Sequence, residues 1–266
     1  MADMIGKALR LLSLLGSYPD GVGISELSRA AGYPVSTTHR LLGSLAAEGF
    51  VRNDPKSKRY ALGLRLFELG QQVSHARGFA GVALPVMEQV SAHTGEPTLM
   101  AVLDGRDQLY VHAVEGRQQV QIRGEPGRRG PLHCTSMGKC LVAFAPEEQR
   151  LRLVAELELT PMGPRSITGR AAFAAEIELV RERGYAVADE EHVPGIRAVG
   201  VPVCGPDGAA LAALSTAAPA YRMSVADLTE FVPALRTAAR ELAAVLPRRQ
   251  AVSGRSSSRS SRPGGP

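Results

Sequence analysis

Tryptophan is absent from this 266-residue chain, and aromatic residues make up only 5% of it. Proteins that bind single-stranded nucleic acids stack the bases on aromatic side chains, so this composition argues against such a surface. The three cysteines form no C-x-x-C pair, and we expect neither a disulfide framework nor a metal site. This cysteine usage suits a reducing cytoplasm, which is the expected location.

Long apolar runs are also missing. Charged residues interrupt the longest apolar stretches within about ten residues, whereas a helix that spans a bilayer needs about twenty apolar residues. Asp3 and Lys7 open an amphipathic pattern in place of the apolar core of a signal peptide. We therefore expect no membrane association. The length predicts two domains, and the apolar fraction of 44% is sufficient for packed cores.

Charge is distributed unevenly along the chain. Residues 1–77 contain ten Lys or Arg against six Asp or Glu, and residues 78–247 contain sixteen against twenty. The last nineteen residues, 248–266, contain five Arg and no acidic residue. This asymmetry indicates a nucleic-acid module joined to another domain. The Ser-, Arg-, Gly- and Pro-rich tail is predicted to be disordered, either as an inert extension or as a non-specific electrostatic contact with DNA.

Periodic apolar residues predict three short helices near the N-terminus. The first helix has apolar residues at helical spacing on one face, at Ile5, Ala8, Leu9, Leu12 and Leu15. Ser25 is predicted to cap the second helix, because its hydroxyl can accept a hydrogen bond from a free N–H group of the first turn. A Gly32-Tyr33-Pro34 turn leads into the third helix.

The third helix, VSTTHRLLGSLAAEG, carries the strongest functional signal. One face is apolar, whereas the opposite face and its flanks are small, polar and cationic. Short hydroxyl side chains with an Arg one turn later can approach phosphates and base edges in a major groove. An ordinary solvated face is the alternative. The residues predicted to contact DNA from these helices are Ser25, Ser36, Thr37, His39, Arg40 and Ser44.

A basic hairpin follows at once, in the segment FVRNDPKSKRYALG. Two short strands flank a turn at 54–57, and Asp54 is the one acidic residue among four cations. A helix-turn-helix followed by a basic hairpin is typical of a winged helix, whose hairpin adds salt-dependent contacts to the DNA backbone. The cations predicted to make these contacts are Arg52, Lys56, Lys58 and Arg59.

From residue 81 to residue 247, helical and strand patterns alternate. This mixture indicates an α+β domain in which helices pack against one sheet. The segment QVQIRGE, residues 119–125, is predicted to be one of its strands. A single closing helix is predicted over 224–246, with Ser224 as its N-cap.

In this order the segments resemble the IclR family of bacterial transcription regulators. The matching segments cover roughly residues 4–247, and they are GKALRLLSLL, ISELSRAAGYPVSTTHRLLGSLAAEGFV, RYALGLRLFELG, PLHCTSMGKCLVAF, RERGYAVADEEHVPGIRAVGVPV and AALS. The resemblance implies a mixed α/β (α+β) fold of three parts before the tail. These parts are a winged helix-turn-helix domain over 1–64 (helix-turn-helix at about 24–48, wing at 50–62), a linker helix over 65–80 and a GAF-like effector-binding domain over 81–247.

The resemblance also implies a function. Family members regulate operons in response to small organic molecules, often acids, and no enzymatic activity or cofactor comes with the family. We therefore expect a ligand-responsive regulator, more often a repressor, that binds a pseudo-palindromic operator as a homodimer or a tetramer. A constitutive DNA-binding regulator without a functional ligand pocket and an enzyme with an S-x-x-K site are the alternatives.

The segment HCTSMGKC, residues 133–140, allows several interpretations. Ser136 and Lys139 have the S-x-x-K spacing of serine acyl enzymes, but the S-D-N and K-T-G elements of those enzymes are absent. A metal site at His133, Cys134 and Cys140, with His192 or Cys204 as a further ligand, fits no common zinc spacing. A strand-to-helix junction remains, and the free N–H groups of its first helical turn suit an oxyanion. A well-capped core helix without a ligand is the alternative.

By resemblance, this junction borders the effector pocket. The pocket residues implied are Ser136, Met137, Ala188, Ala198, Ser215 and Ala217. Relatives that sense small hydroxy- or keto-acids commonly have an acid, a Cys and a Ser where this chain has Ala188, Ala198 and Ala217. These substitutions, together with the adaptable Met137, predict a larger and more apolar acid as effector.

The segment DEEH, residues 189–192, permits two interpretations. Its carboxylates are candidates for acid–base chemistry. A polar loop entry, in which Arg197 forms an ion pair with these carboxylates, is the interpretation that we favour.

Overall fold

The computed structural model describes residues 4–76, 81, 83–120 and 122–246. The chain divides into two compact units, Met1–Arg77 and Gly78–Pro266. The predicted disordered tail over 248–266 and the end of the predicted linker helix lie outside the described residues. Within the described part, no helix is both long and apolar enough to cross a membrane.

The first unit contains four helices and a three-stranded antiparallel sheet in its described residues. The elements are α1 (Met4–Leu15), β1 (Val22–Gly23), α2 (Ile24–Ala31), α3 (Val35–Ala47), β2 (Val51–Asn53), β3 (Arg59–Leu62) and α4 (Leu64–Ala76). The strand order is β1-β3-β2, so that β3 lies between β1 and the other strand of the hairpin. Leu11, Leu15, Leu27 and Leu42 are buried together between the helices and this sheet.

Two predictions for this unit are wrong. Ile5 and Leu9 are mostly exposed, and Leu11 is fully buried in their place, because α1 packs through the stripe that contains Leu11 and Leu15. Ser25 does not cap α2. Gly23 occupies the N-cap position without a side-chain bond, because its pairing with Arg59 places the helix start two residues earlier than predicted.

The described part of the second unit is a six-stranded antiparallel sheet with helices on both faces, which confirms the mixed α/β fold class. Its elements are α5 (Ala83–Thr94), β4 (Thr98–Asp104), β5 (Asp107–Val114), β6 (Arg129–Pro131), α6 (Ser136–Ala143), α7 (Glu147–Glu156), α8 (Arg170–Arg183), β7 (Ala186–Asp189), β8 (Ile196–Cys204), β9 (Ala210–Pro219), α9 (Val225–Thr229) and α10 (Val232–Val245). The strand order is β6-β5-β4-β9-β8-β7.

The period of two along β4 divides the core between the two faces of this sheet. Met100 and Val102 belong to the cluster that contains residues of α5 and α10. Leu99 and Ala101 belong to the cluster that contains Phe173 and other residues of α6 and α8. Helix α6 therefore starts on the face of the sheet that Leu99 presents.

Two predictions for this unit are also wrong. The described residues of 119–125 form no strand, and the strand that pairs with the outer edge of β5, at residues 107–109, is β6. The closing helix is divided into α9 and α10. Pro233 occupies the first turn of α10, where its missing N–H breaks the ladder of helical hydrogen bonds. Ser224 does cap α9, in a capping box with Asp227.

Candidate DNA-binding surface and ligand cavity

Helix α3 exposes the side chains that were predicted to contact DNA. Its buried face consists of Thr38, Leu41 and Leu42, and the Thr38 hydroxyl donates a hydrogen bond to the Pro34 carbonyl over 3.1 Å. The predicted contact residues Ser36, His39, Arg40 and Ser44 are exposed, and Thr37 is half-buried. The helix therefore presents small polar groups and one Arg to solvent, and the DNA contacts themselves stay a prediction.

The turn before α3 fixes the entry of the helix. Gly32 adopts a φ of 72°, a left-handed conformation that ends α2, and its N–H donates to the Arg29 carbonyl. The Tyr33 N–H donates to the Ser28 carbonyl over 3.1 Å. The Lys7 ammonium lies 5.5 Å from the centroid of the Tyr33 ring, which joins the turn to α1.

The acidic side chain of the wing, Asp54, is hydrogen-bonded within the turn. Asp54 accepts hydrogen bonds from the Ser57 hydroxyl at 2.6 Å and from the Lys56 N–H at 3.0 Å. These bonds, the Ser57 bond foremost, lower the pKa of the Asp54 carboxyl. Lys58 adopts a φ of 56°, which is unusual for a residue with a side chain. Because Asp54 is held within the turn, the exposed cations of the wing remain available to phosphates.

The four wing cations are not equivalent. Arg52, Lys56 and Lys58 are exposed, and no described residue forms an ion pair with them. Arg59 is also exposed, but its guanidinium donates a hydrogen bond to the Gly21 carbonyl over 3.2 Å. Arg59 therefore also joins the wing to the turn before β1.

All six residues that resemblance placed in the effector pocket line one cavity of about 70 Å³, here called the inner cavity. They are Ser136, Met137, Ala188, Ala198, Ser215 and Ala217. A single water needs roughly 10–15 Å³ of such space, so the cavity has room for a small organic molecule. Sequence reasoning missed other wall residues, among them Leu99, Tyr110, Ile122, Cys134 and His192.

Sheet register explains why three alanines share this wall. Ala188 pairs with Ala198 across β7 and β8, and Ala198 pairs with Ala217 across β8 and β9. Ser215 on β9 is paired with Leu99 on β4. One face of four neighbouring strands thus supplies a floor of small side chains, and this floor lies under the start of α6.

The start of α6 supplies hydrogen-bond donors to the inner cavity. Thr135 caps the helix, and its hydroxyl accepts a hydrogen bond from the Gly138 N–H over 3.0 Å. No described residue accepts a hydrogen bond from the N–H of Ser136 or Met137. The Ser136 hydroxyl donates to the Ser215 hydroxyl over 3.2 Å. Two free N–H groups at a helix N-terminus favour a bound carboxylate.

Among the described residues, no lysine, arginine or carboxylate lines the inner cavity. Burial, assisted by the neighbouring His133, lowers the pKa of the wall residue His192, so its imidazole is neutral at pH 7. Burial also raises the pKa of the Cys134 thiol to about 12, which leaves the thiol protonated. The cavity is therefore neutral, and its affinity for an anion depends on dipoles and hydroxyl groups.

A buried ion-pair network lies beside the cavity, and sequence reasoning did not find it. Lys139 is 1% exposed, and its ammonium lies 2.7 Å from Glu191 Oε1 and 3.1 Å from Glu176 Oε1. Arg183 also donates to Glu176, over 3.0 Å. Despite its proximity to Lys139, the pKa of Glu191 is raised, chiefly by burial. In the sequence, only the S-x-x-K spacing drew attention to Lys139, and it gave no sign of these ion pairs.

The contacts of Lys139 and Ser136 can be compared with those that an S-x-x-K catalytic site requires. The Lys139 ammonium is hydrogen-bonded to two carboxylates, and the Ser136 hydroxyl contacts Ser215. A general base must lie within hydrogen-bond reach of its nucleophile, and no such bond joins Lys139 to Ser136. Among the described residues, no group of three or more His, Cys, Asp or Glu side chains is arranged to hold a metal ion.

The carboxylates of the segment DEEH form ion pairs with different cations. Arg197 Nε lies 2.6 Å from Asp189 Oδ1, and Arg197 Nη2 lies 3.6 Å from Glu190 Oε1. The predicted pairing with Arg197 is confirmed for these two carboxylates. Glu191 points away to Lys139 instead. Its role was missed because nothing local pairs residues 52 positions apart in the chain.

Comparison with known proteins identifies the family. The description "Bacterial transcriptional regulator IclR C-terminal" matches residues 71–244, and "IclR helix-turn-helix domain" matches residues 5–55. The HTH-type transcriptional regulator XynR of Escherichia coli strain K12 is 31% identical over 91% of this chain and 96% of its own length. The probable transcriptional regulator SauR of Cupriavidus necator is 34% identical over 89% of this chain and 94% of its own length.

Solved structures agree with this comparison. The Thermotoga maritima IclR has a TM-score of 0.75 and 30% identity, and the match covers 90% of this chain and 97% of that one. An IclR homologue from Microbacterium hydrocarbonoxydans, in complex with 4-hydroxybenzoate, has a TM-score of 0.80 and 27% identity, with 92% and 99% covered. The chain belongs to the IclR family of bacterial transcriptional regulators. It is a DNA-binding helix-turn-helix regulator with an effector-binding C-terminal domain, as the sequence predicted.

Proposed function

We propose that this protein is a cytoplasmic, non-enzymatic repressor that responds to a small organic acid with an apolar body. It binds a pseudo-palindromic operator as a homodimer or tetramer. Residues 1–64 bind DNA, residues 65–80 form the linker helix, and residues 81–247 bind the effector. The observation that carries the proposal is the inner cavity, whose apolar walls surround two free N–H groups of α6.

The proposed DNA contacts follow from exposure and charge. Ser36, Thr37, His39, Arg40 and Ser44 on α3 read bases or position the helix on phosphates. Ser25, exposed on α2, contacts the backbone. Arg52, Lys56, Lys58 and Arg59 on the wing supply affinity that does not depend on sequence.

The proposed class of effector follows from the hydrogen-bond donors and the apolar side chains that line the inner cavity. The carboxylate of the effector accepts hydrogen bonds from the N–H groups of Ser136 and Met137. Its apolar body lies over Ala188, Ala198 and Ala217, and Met137 adapts to its shape. The complex of the Microbacterium hydrocarbonoxydans relative with 4-hydroxybenzoate supports an aromatic acid.

The experiment is a mobility shift on the upstream region of the gene, repeated with a panel of aromatic and aliphatic acids. We expect a specific shift that one class of apolar acid weakens. A specific shift that no acid changes, together with no thermal stabilisation by any of them, would favour a constitutive DNA-binding protein. Turnover of an acyl substrate that is abolished in Ser136→Ala would favour an enzyme.

A further inference from the structure

A second cavity, here called the outer cavity, shares part of its wall with the inner one. Leu99, Tyr110 and Ile122 line both. The outer cavity measures about 170 Å³, and its other walls include three arginines, Arg123, Arg128 and Arg129. A neutral, mostly apolar chamber thus borders a basic one across a wall of two aliphatic side chains and one tyrosine.

The three arginines of the outer cavity differ in their partners. Arg128 lies 3.0 Å from Glu125, and Arg129 pairs with Asp104 and lies 3.6 Å from Asp107. Arg123 forms no ion pair or side-chain hydrogen bond with any described residue. Among the described residues that line this cavity, Arg123 is therefore the cation that is free to bind an anion.

The segment that contains Arg123 packs closely on the side chain of Leu99 in the shared wall. A methyl group at Gly124 would lie 2.3 Å from Leu99 Cδ2, so a side chain at this position would displace the end of the Leu99 side chain. Leu99 is paired with Ser215, which lines the inner cavity. Arg123 follows Ile122, which lines both cavities, and precedes Gly124, which lines the outer cavity.

We propose that Arg123 forms a second anion subsite, and that the effector is an elongated acid with an anionic group at each end. This inference rests on the proposed function, because the first anionic group occupies the start of α6. The second group finds no cation among the described residues of the inner cavity, and it reaches Arg123 where Leu99 and Ile122 line both cavities. Arg forms strong, directional hydrogen bonds with carboxylates, so the subsite selects for a second charge.

The test compares acids of similar size that differ in the second charge. Terephthalate is matched with para-isopropylbenzoate, and adipate is matched with hexanoate. Because the chain has no Trp, titration calorimetry on the full-length protein is the appropriate readout. We expect each dianion to bind roughly tenfold more tightly than its monoanionic counterpart.

Two variants assign this preference to one residue. Arg123→Gln should remove the preference for the dianion and leave the affinity for the monoanion unchanged. Arg128→Gln is the matched control, because Arg128 lines the same cavity but is paired with Glu125, and it should keep most of the preference. Both side chains are exposed, and melting curves without ligand will verify that both variants fold.

The outcomes separate this inference from the proposed function. If monoanions bind and Arg123→Gln leaves the dianion preference intact, or if no preference exists, the second subsite is wrong and the proposed function stands. If neither class of acid binds the wild-type protein, the proposed acid-binding function is contradicted and the second subsite falls with it.

Discussion

At the scale of single residues, the two units of this regulator differ in whether a key cationic side chain is exposed or buried. On α3, Arg40 is exposed, and among the described residues its guanidinium donates a hydrogen bond only to the Met4 sulfur, a weak contact at 3.4 Å. In the C-terminal unit, by contrast, Lys139 is buried and forms ion pairs with Glu176 and Glu191. The first arrangement leaves a cation available for DNA, whereas the second makes a cation part of the core.

Replacement of Arg40 by Ala should weaken binding to the operator by about 1–3 kcal/mol, because a bidentate contact with a base contributes that much discrimination. Binding to random DNA should change far less. Fluorescence anisotropy with operator and scrambled duplexes measures both affinities. Arg65→Ala is the control, because Arg65 is exposed on α4 and paired with Glu68. An equal loss on both duplexes would mean that Arg40 contacts only phosphates.

Lys139→Met should destabilise the C-terminal unit by about 3–5 kcal/mol, because the buried Glu191 would lose its cation. Chemical unfolding at pH 7 measures the loss. Arg181→Met, which removes an exposed pair with Glu178, should change the free energy of unfolding by less than about 1 kcal/mol. The double variant Lys139→Met/Glu191→Gln should recover part of the stability. Equal stability of Lys139→Met and the wild type would contradict this account.

His192 should make the C-terminal unit less stable in mild acid. Burial lowers its pKa below the ordinary value of 6.5, so the unfolded chain takes up a proton at a higher pH than the folded one. Stability is therefore lost as the pH falls below about 6.5, until the folded-state pKa is reached. His192→Asn should show a shallower loss between pH 7 and pH 5, measured by urea unfolding. His93→Asn, at an exposed position on α5, should follow the wild type.

At the scale of elements, the wing and the start of α6 are both built on local backbone geometry. The wing hairpin turns through Lys58 in a left-handed conformation. The α6 junction approaches the backbone so closely that a methyl group at Gly138 would lie 2.4 Å from the Leu132 carbonyl oxygen. In the proposed function, each of these backbone geometries helps to bind an anion. The anion is a DNA phosphate at the wing and the carboxylate of the effector at α6.

Substitution of Lys58 tests the wing as an electrostatic contact. Lys58→Asn is the appropriate change, because Asn tolerates a φ of 56° whereas Ala adds strain there. The variant should weaken binding to all duplexes alike and reduce the slope of log K against log salt by about 1. Salt titrations with operator and random DNA measure this slope. A loss confined to the operator would show instead that the wing reads sequence.

At the scale of the whole molecule, effector and operator must be coupled reciprocally. If an acid weakens operator binding by some factor, operator DNA must weaken acid binding by the same factor. Titration of the acid into free and operator-bound protein, at one salt concentration, measures the second factor. Unequal factors would indicate that the acid acts through a different oligomer or a second site.

Much of this molecule is encoded in short stretches of sequence. The spacing of apolar residues in α3, the turn around Asp54 and the segments shared with the IclR family predict the winged helix and its order before the effector domain. These features depend on helical period, caps and turns, which involve neighbours in the chain. Even so, the period alone did not decide between Leu9 and Leu11 on α1, because both lie near an apolar stripe and only packing selects one.

The cavities and the ion network were decided by tertiary structure alone. Resemblance supplied Ala188, Ala198 and Ala217, but only the register of β7, β8 and β9 places them side by side. Lys139 forms an ion pair with Glu191 because α6 packs on that sheet, and no local sequence pattern predicts this pair. Local sequence determines which elements form, since their hydrogen bonds are local. Which distant side chains share a cavity depends on the register and packing of the complete fold.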